Sequence, residues 1–161
     1  MIVLAAGFSR RRGGSPKQLV TIDGETLIRR AARIASEVGE VIVVTTPEFP
    51  VPFRMVMNPA NDGIASSIRA GVAACDGDVL ITLCDQPYVT AEHLRALANA
   101  NAPIAASAYS GTLGVPAYFA REFREELLSL RGDQGAKRII EAHRDVVKAI
   151  PFEAAAIDVD V

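Results

Sequence analysis

The chain has 161 residues, of which 50% are hydrophobic, and its 17 basic and 19 acidic side chains give a formal net charge of −2. This length is typical of one domain with a sizeable core, and the near-balanced charge excludes a protein whose whole surface binds nucleic acid. The apolar start, Met1 to Ala6, is shorter than the core of a signal peptide, and no later apolar run approaches ~18 residues. We therefore expect a cytoplasmic protein that contacts neither membranes nor nucleic acid.

The predicted elements alternate between strands and helices, which is typical of an α/β sheet covered by helices. Apolar runs predict strands at "IVLA", "EVIVVTT", "FRMVMN", "DVLITLCDQP" and "VVKAI". Helical spacing predicts helices from Thr26 to Gly39, after "PANDG", near 90–100, around 120–130 and around 135–144. "GTLGVP" is predicted as a turn. Without repeats or linkers, the chain is predicted to form one domain over residues 1–161.

The opening loop, within "LAAGFSRRRGGSPK", carries three arginines and a lysine without an acidic residue. It is not a Walker loop, because Gly14 stands where that motif needs lysine, and it lacks the glycine spacing of the dinucleotide fingerprint. What remains is Gly7 directly after a strand, where backbone amides can approach a ligand, followed by Arg10 to Arg12 and Lys17 as counter-charges. A solvated basic loop is the alternative. The position of the loop at a strand end favours binding of a nucleoside triphosphate.

Carboxylates stand at two further positions of interest. Asp85 closes an apolar strand next to Pro87 and is suited to a hard cation such as Mg²⁺, although an N-cap or turn former is the alternative. Asp158 and Asp160 alternate in an extended segment and would face one side. One of them could be a second metal ligand, or both could belong to a frayed acidic tail.

The remaining polar residues give weaker signals. "RGDQGAKR" predicts either an anion site at a helix start or a simple connecting turn. His93 and His143 lie among charged residues in amphipathic segments, so we place both on the surface. Cys75 and Cys84 are too few and too far apart for a metal cluster or disulfide framework and are predicted to be buried thiols.

Several ordered motifs together resemble the small molybdenum-cofactor nucleotidyltransferases, most closely the cytidylyltransferase branch. The motifs are "LAAGFSRR", "GGSPKQL", "GETLI", "NPANDGIASSIRAG", "LCDQP", "GTLGVPAYF", "LRGDQGAKRII" and "IDVD", and they span nearly the whole chain. The resemblance implies a single Rossmann-like nucleotidyltransferase domain with a mostly parallel, mixed sheet sandwiched by helices. It also implies Mg²⁺ as cofactor, CTP or another NTP and molybdopterin as substrates, and the apo-molybdoenzyme or its chaperone as a possible partner, in a monomer or dimer.

The resemblance further implies roles for individual residues. The catalytic group would be Lys17, Asp85 and an arginine that is either Arg11 or Arg12, with Asp85 and Asp160 on the metal. The nucleotide would be bound by Leu4, Ala5, Ala6, Gly7, Ser9, Lys17, Asn58, Gly63 and Ser67. The pterin substrate would be bound by Gly114, Pro116, Gly132, Asp133, Gly135 and Ala136.

The implied reaction is transfer of CMP from CTP to a phosphate of molybdopterin with release of pyrophosphate. An ionised phosphate is its own nucleophile, so positioning and charge neutralisation suffice. Three alternatives stay open: a guanylyltransferase, whose members typically carry "LAGG" where this chain has "LAAG"; another small-molecule nucleotidyltransferase of the same fold; and a non-catalytic protein that binds nucleotide or molybdenum cofactor.

Overall fold

The structure is a computed structural model that describes residues 1–6, 16–46, 49–58 and 62–159. Its strands are β1 Ile2–Leu4, β2 Thr21–Ile22, β3 Glu25–Thr26, β4 Ile42–Thr45, β5 Arg54–Met57, β6 Val79–Leu83, β7 Ile104–Tyr109, β8 Thr112–Phe119 and β9 Val147–Pro151. Its helices are α1 Leu27–Ser36, α2 Gly63–Ala73, α3 Ala91–Ala98, α4 Arg124–Ser129 and α5 Lys137–Ala142. Short 3₁₀ turns cover Lys17–Leu19, Arg121–Phe123, Arg144–Val146 and Glu153–Ala156. The five predicted strands and the predicted helices are thus confirmed within the described residues.

Seven strands form one sheet in the order β5-β4-β1-β6-β8-β7-β9. The pairs β5–β4, β4–β1, β1–β6 and β7–β9 are parallel, whereas β8 runs antiparallel to both β6 and β7. Strand β1 is central. The chain continues from it to β4 and β5 on one side and then crosses to β6 on the other side, so the strand order reverses at β1. In open α/β sheets such a reversal of strand order leaves a crevice at the carboxyl ends of the strands, where ligands bind.

Helices cover both faces of the sheet because alternate strand residues point to opposite sides. Ile2 and Leu4 pack in one apolar cluster with buried residues of α2, α4 and α5. Val3 packs in a second cluster with buried residues of α1 and α3. The mostly parallel, mixed sheet with helices on both faces agrees with the predicted fold class.

The close approach of α2 to the sheet depends on Gly71. A Cβ atom at this position would lie 2.7 Å from Cγ2 of Ile2 and 3.0 Å from Cγ2 of Val44. Such distances require the neighbours to move, and both neighbours are buried core side chains. Gly71 therefore sets how near the last turn of α2 lies to Ile2 of β1 and Val44 of β4.

The prediction of a turn at "GTLGVP" is wrong beyond its first residue. The turn is Ser110–Gly111, whose φ angles of 49° and 72° fit a two-residue hairpin turn, and Thr112 to Pro116 belong to β8. The pairing with β7 joins Ala106 to Ala117 and Ser107 to Gly114, so Val115 and Pro116 form a bulge outside the ladder. The pairing of β8 with β6 also ends, at Ile81 and Ala117.

The prediction that His93 lies on the surface is wrong. Only 4% of His93 is exposed, its ring stacks on Phe152 with centroids 4.0 Å apart, and Nε2 lies 2.7 Å from Oγ of Ser107. Ser107 donates in turn to the carbonyl oxygen of Pro116 at 2.6 Å. Burial lowers the pKa of His93 to about 4, so the ring is neutral at physiological pH. His143, by contrast, is partly exposed beside Glu126, as predicted for a surface position.

The cysteine prediction holds for one of the two thiols. Burial, followed by the charge of Asp85, raises the pKa of the buried Cys84 thiol to about 12. Cys75 is only partly buried, because it lies just beyond the C-terminal end of α2, and burial raises its pKa as well. Among the helices of the described residues, none is long and apolar enough to cross a bilayer.

Candidate active site

Lys17 and Asp85 meet at the carboxyl end of the central strands. Nζ of Lys17 lies 3.9 Å from Oδ2 of Asp85, and the two side chains are 25% and 27% exposed. Asp85 is brought there because β6 continues its pairing with β1 beyond the strand, through the Cys84 amide and the Leu4 carbonyl. Sequence analysis found no acidic partner within the loop; the fold supplies one from a distant strand. The pair remains in reach of solvent and hence of a ligand.

Gln18 fixes the chain beside this pair, and sequence analysis missed it. Its Nε2 donates to the carbonyl oxygen of Ala5 at 2.8 Å, and the residue is 4% exposed. The Ala5 amide donates to the Val44 carbonyl at 2.8 Å. Base recognition through this backbone stays a prediction. The only local signal for Gln18 was its place next to Lys17.

The C-terminal segment returns to the same strand end. The amide of Val159 donates to the carbonyl oxygen of Asp85 at 3.0 Å. Burial, and then the charge of Asp158, raises the pKa of Tyr109, which places that carboxylate near the β7–β8 hairpin. The segment that carries the predicted second metal ligand therefore lies beside the first. Asp160 itself is outside the described residues.

A second polar group lies where β5 ends and α2 begins. Nδ2 of Asn58 donates to Oγ of Ser66 at 3.0 Å and to Oγ of Ser67 at 2.9 Å. The Asn58 amide donates to the Thr45 carbonyl at 3.0 Å, which fixes this residue at the end of β4. Asn58 and Ser67 are thus brought together as two predicted nucleotide-side residues. Both are 5% exposed.

The "GDQG" turn packs directly on the start of α2. A Cβ atom on Gly63 would lie 2.3 Å from the Gly132 carbonyl oxygen and 2.6 Å from Oδ1 of Asp133, so only glycine fits there. The Ala65 amide donates to the same Gly132 carbonyl at 3.1 Å. The turn therefore satisfies one of the amides that a helix start leaves open. Its second role as an anion site stays a prediction.

The other predicted pterin-side residues lie on β8 and at the start of α5. Gly114 faces Tyr109, whose hydroxyl would lie 2.4 Å from a Cβ atom at that position. Pro116 lies in the bulge, where its carbonyl accepts from Ser107. Ala136 is buried next to Lys137–Ala142, and Gly135 is partly exposed. Gly114 and Pro116 thus belong to β8, whereas Gly135 and Ala136 directly precede α5.

The other predicted site residues lie either at the end of β1 or outside the described residues. Leu4 and Ala6 are both 6% exposed at the end of β1, as expected of residues entering the loop. Gly7, Ser9, Arg10, Arg11 and Arg12 lie outside the described residues, together with Asp160. Their roles stay predictions. Within the described residues no group of three or more metal-type side chains occurs.

Comparisons with known proteins identify the family. The chain matches the family described as the MobA-like NTP transferase domain over residues 1–146. It is 29% identical to the purine catabolism protein PucB of Bacillus subtilis, over 88% of this chain and 80% of that protein. It is also 29% identical to a probable molybdenum cofactor guanylyltransferase of Synechococcus elongatus, over 58% of this chain and 54% of that protein.

Solved structures share the fold over nearly the whole chain. The homologue of Mycobacterium tuberculosis Rv0371c from Mycobacterium sp. strain JC1 is 29% identical and superposes with a TM-score of 0.81, covering 99% of this chain and 88% of that chain. Rv0371c itself, in a complex with manganese, is 24% identical with a TM-score of 0.78, covering 94% of this chain and 86% of that chain. The chain therefore belongs to the MobA-like NTP transferase family of nucleotidyltransferases.

Proposed function

We propose that this nucleotidyltransferase transfers CMP from CTP to a phosphate of molybdopterin in a Mg²⁺-dependent reaction that releases pyrophosphate. The observation that carries the proposal is the Lys17–Asp85 pair, a cation and a carboxylate 3.9 Å apart and partly exposed at the carboxyl ends of β1 and β6. Phosphates need a cation, and the metal that accompanies them needs oxygen ligands. This pair offers both within one ligand's reach.

Asp85 fits a Mg²⁺ ion by its chemistry and its exposure. Mg²⁺ commonly uses one or two carboxylates, keeps several waters and takes its other ligands from substrate phosphates. A single partly exposed carboxylate next to a phosphate-binding lysine meets that need, with Asp160 as the proposed second ligand. The bound ion would offset negative charge on the phosphates.

The chain's own residues would then act by positioning and charge. A phosphate oxygen of the acceptor forms a bond to the α-phosphorus of CTP, and the bond from that phosphorus to the leaving pyrophosphate oxygen breaks. The nucleophile is already ionised, so no side chain has to remove a proton. Lys17, with Arg11 or Arg12, would stabilise the charge that develops on the α-phosphate and on pyrophosphate.

The two substrates would approach from two sides of Asp85. On the nucleotide side we place the end of β1 and the polar group around Asn58, whose amide is held by two serines. On the acceptor side we place the β8 bulge and the "GDQG" turn. Family membership supports nucleotidyl transfer. The choice of CTP is supported by the resemblance of "LAAG" and "DQP" to the cytidylyltransferase branch, and the choice of molybdopterin by the resemblance of the ordered motifs as a whole.

Guanylyl transfer is the second candidate, and one observation favours it. A relative in the comparison is itself a probable molybdenum cofactor guanylyltransferase, 29% identical to this chain over 105 residues. The same acceptor chemistry would then be combined with GTP. The residues at the end of β1 would then recognise guanine instead of cytosine.

The decisive experiment measures pyrophosphate release from CTP, GTP and ATP separately, with and without molybdopterin, in Mg²⁺ and in excess chelator. We expect release that requires both molybdopterin and metal and that is at least about tenfold faster with CTP, since one unpaired buried polar group costs about 1–3 kcal/mol. Faster release with GTP would support the second candidate instead. Release from no nucleotide in the presence of molybdopterin would contradict the proposed acceptor.

A further inference from the structure

Gln86 links three separate segments of the candidate site. Its side-chain amide donates to the carbonyl of Val115 at 3.1 Å and to the carbonyl of Ala155 at 2.9 Å. Val115 is in the β8 bulge, and Ala155 is in the 3₁₀ turn that leads to Val159. Gln86 itself directly follows Asp85. One side chain thus joins the metal-side strand end, the acceptor-side strand and the C-terminal segment.

The bulge explains why a side chain is needed at this point. Val115 lies outside the ladder with β7, and the pairing of β8 with β6 has already ended at Ile81 and Ala117. Buried carbonyls that leave a ladder must find other donors. Gln86 and the hydroxyl of Tyr109, at 3.2 Å, supply them for Val115. The gap between β6 and β8 is therefore bridged by side chains where backbone pairing stops.

The direction of the Gln86 amide is fixed by these contacts. Both accepting groups are carbonyls, so the nitrogen must face them, and Oε1 is buried without a hydrogen-bond partner among the described residues. With 5% of the residue exposed, loss of the donors could not be replaced by solvent. Neither glutamate nor an apolar side chain of the same length can make both bonds.

We propose that Gln86 is a positioning residue that sets the distance between Asp85 and the acceptor-side strand and holds the C-terminal segment against Asp85. The kinetic consequence of this inference rests on the proposed function, which assigns Val115 and its neighbours to the acceptor side. The backbone bond from Val159 to the Asp85 carbonyl, at 3.0 Å, completes the link. Gln86 acts through these groups and does not contact the substrates.

Two measurements on Gln86→Met test this positioning role. Hydrogen exchange over residues 153–159 should be about tenfold faster or more than in the wild type, while exchange in β6 changes little. The turnover number for molybdopterin should fall about tenfold to a hundredfold, because misplacement of one reactant is costly. The Kd of CTP, measured without acceptor and without metal, should change less than about twofold, because the two groups that Gln86 holds, Val115 and Ala155, are not on the nucleotide side. A purely stabilising role would leave turnover of the folded enzyme unchanged.

Tyr109→Phe is the matched control, because it removes the other donor to Val115 and keeps the bond to Ala155. It should leave exchange over 153–159 near the wild-type rate. If Gln86→Met does not fold, Gln86→Glu gives the same test, and its exchange relative to wild type should slow at acidic pH, where a protonated carboxyl regains one donor.

Each outcome separates this inference from the proposed function. Unchanged exchange over 153–159, or faster exchange with an unchanged turnover number, overturns the role of Gln86. If the wild type releases no pyrophosphate with molybdopterin from any nucleotide, the proposed function fails while the exchange measurement still decides whether Gln86 holds the C-terminal segment.

Discussion

Two pairs of polar side chains in this protein, Lys17–Asp85 and His93–Ser107, differ in their exposure to solvent and in what they can bind. The first pair is about one-quarter exposed at the carboxyl ends of β1 and β6 and carries two charges. The second is buried between α3 and β7, is neutral, and joins neighbouring elements through the Pro116 carbonyl. Exposure separates them: charge that stays near water can meet a ligand, whereas buried polarity has to be satisfied within the protein.

The largest expected effect tests the exposed pair. Asp85→Asn should lower Mg²⁺-supported turnover by about a hundredfold or more while the protein stays folded, because the amide has nearly the same shape but is a poor metal ligand. Pyrophosphate release and circular dichroism measure the two effects. Asp78→Asn is the matched control, since Asp78 stands before β6 and accepts from the Arg121 amide at 2.8 Å, away from the site. Equal losses in both variants would contradict a specific role for Asp85.

Lys17→Ala should lower kcat/KM for the nucleotide by roughly tenfold to a few hundredfold, because a charge-assisted contact with phosphate is lost. Steady-state kinetics with CTP measures this change. Lys148→Ala, which removes a lysine that donates to the Ala100 carbonyl at 3.3 Å, should leave these kinetics near wild type. Normal kinetics in the Lys17 variant would mean that this lysine pairs with Asp85 for structural reasons alone.

The buried group should reveal itself through pH. The folded-state pKa of His93 is lowered to about 4 by burial, below the unfolded value of about 6.5. Between these values the unfolded chain binds more protons, so the free energy of unfolding should fall as pH is lowered from about 6.5 to 4, by at most about 1.4 kcal/mol per pH unit. Denaturant titrations at several pH values measure this slope.

His93→Gln should flatten that dependence, whatever its effect on stability at neutral pH. His143→Gln is the control, because it removes the other histidine and leaves His93 in place. If the pH dependence disappears in His143→Gln and persists in His93→Gln, it arises from His143, and burial of His93 does not cause it.

The smallest expected effect concerns the C-terminal segment, which contacts the exposed pair through Val159. Deletion of residues 158–161 should reduce the thermal stabilisation produced by CTP and Mg²⁺, because a tenfold weaker ligand contributes about 1.4 kcal/mol less. Thermal melts of both proteins, each with and without ligands, give the difference. Equal shifts would show that Asp85 binds the metal with substrate phosphates and water, without Asp160.

Sequence analysis succeeded where a pattern repeats along one element. Buried parallel strands are continuous apolar runs, so β1, β4 and β6 could be predicted, and Asp85 followed as the first polar residue after such a run. The pairing of Lys17 with Asp85 could not be predicted from the residues themselves, since it depends on strands brought together from distant parts of the chain.

The failures have three physical causes. His93 was judged by its charged neighbours, yet His93, Leu94 and Leu97 share one buried helix face, and that spacing was a usable signal. Gln18 and Gln86 offered no such signal, because their partners lie 13, 29 and 69 residues away. The β8 bulge was mistaken for a turn since Gly111, Gly114 and Pro116 are all residues that turns favour.

The two-residue turn at Ser110–Gly111 has a consequence for how the site is assembled during folding. A hairpin closed by so short a turn forms from local contacts, so β8 and its bulge can pair with β7 early. Strand β1, by contrast, pairs Ile2 with Ile42 and with Ile81, contacts that close long loops. Strand β8 is therefore a local structure, whereas Lys17 and Asp85 meet only after distant segments have joined. Recovered activity in a refolding experiment would report that later joining and not formation of the hairpin.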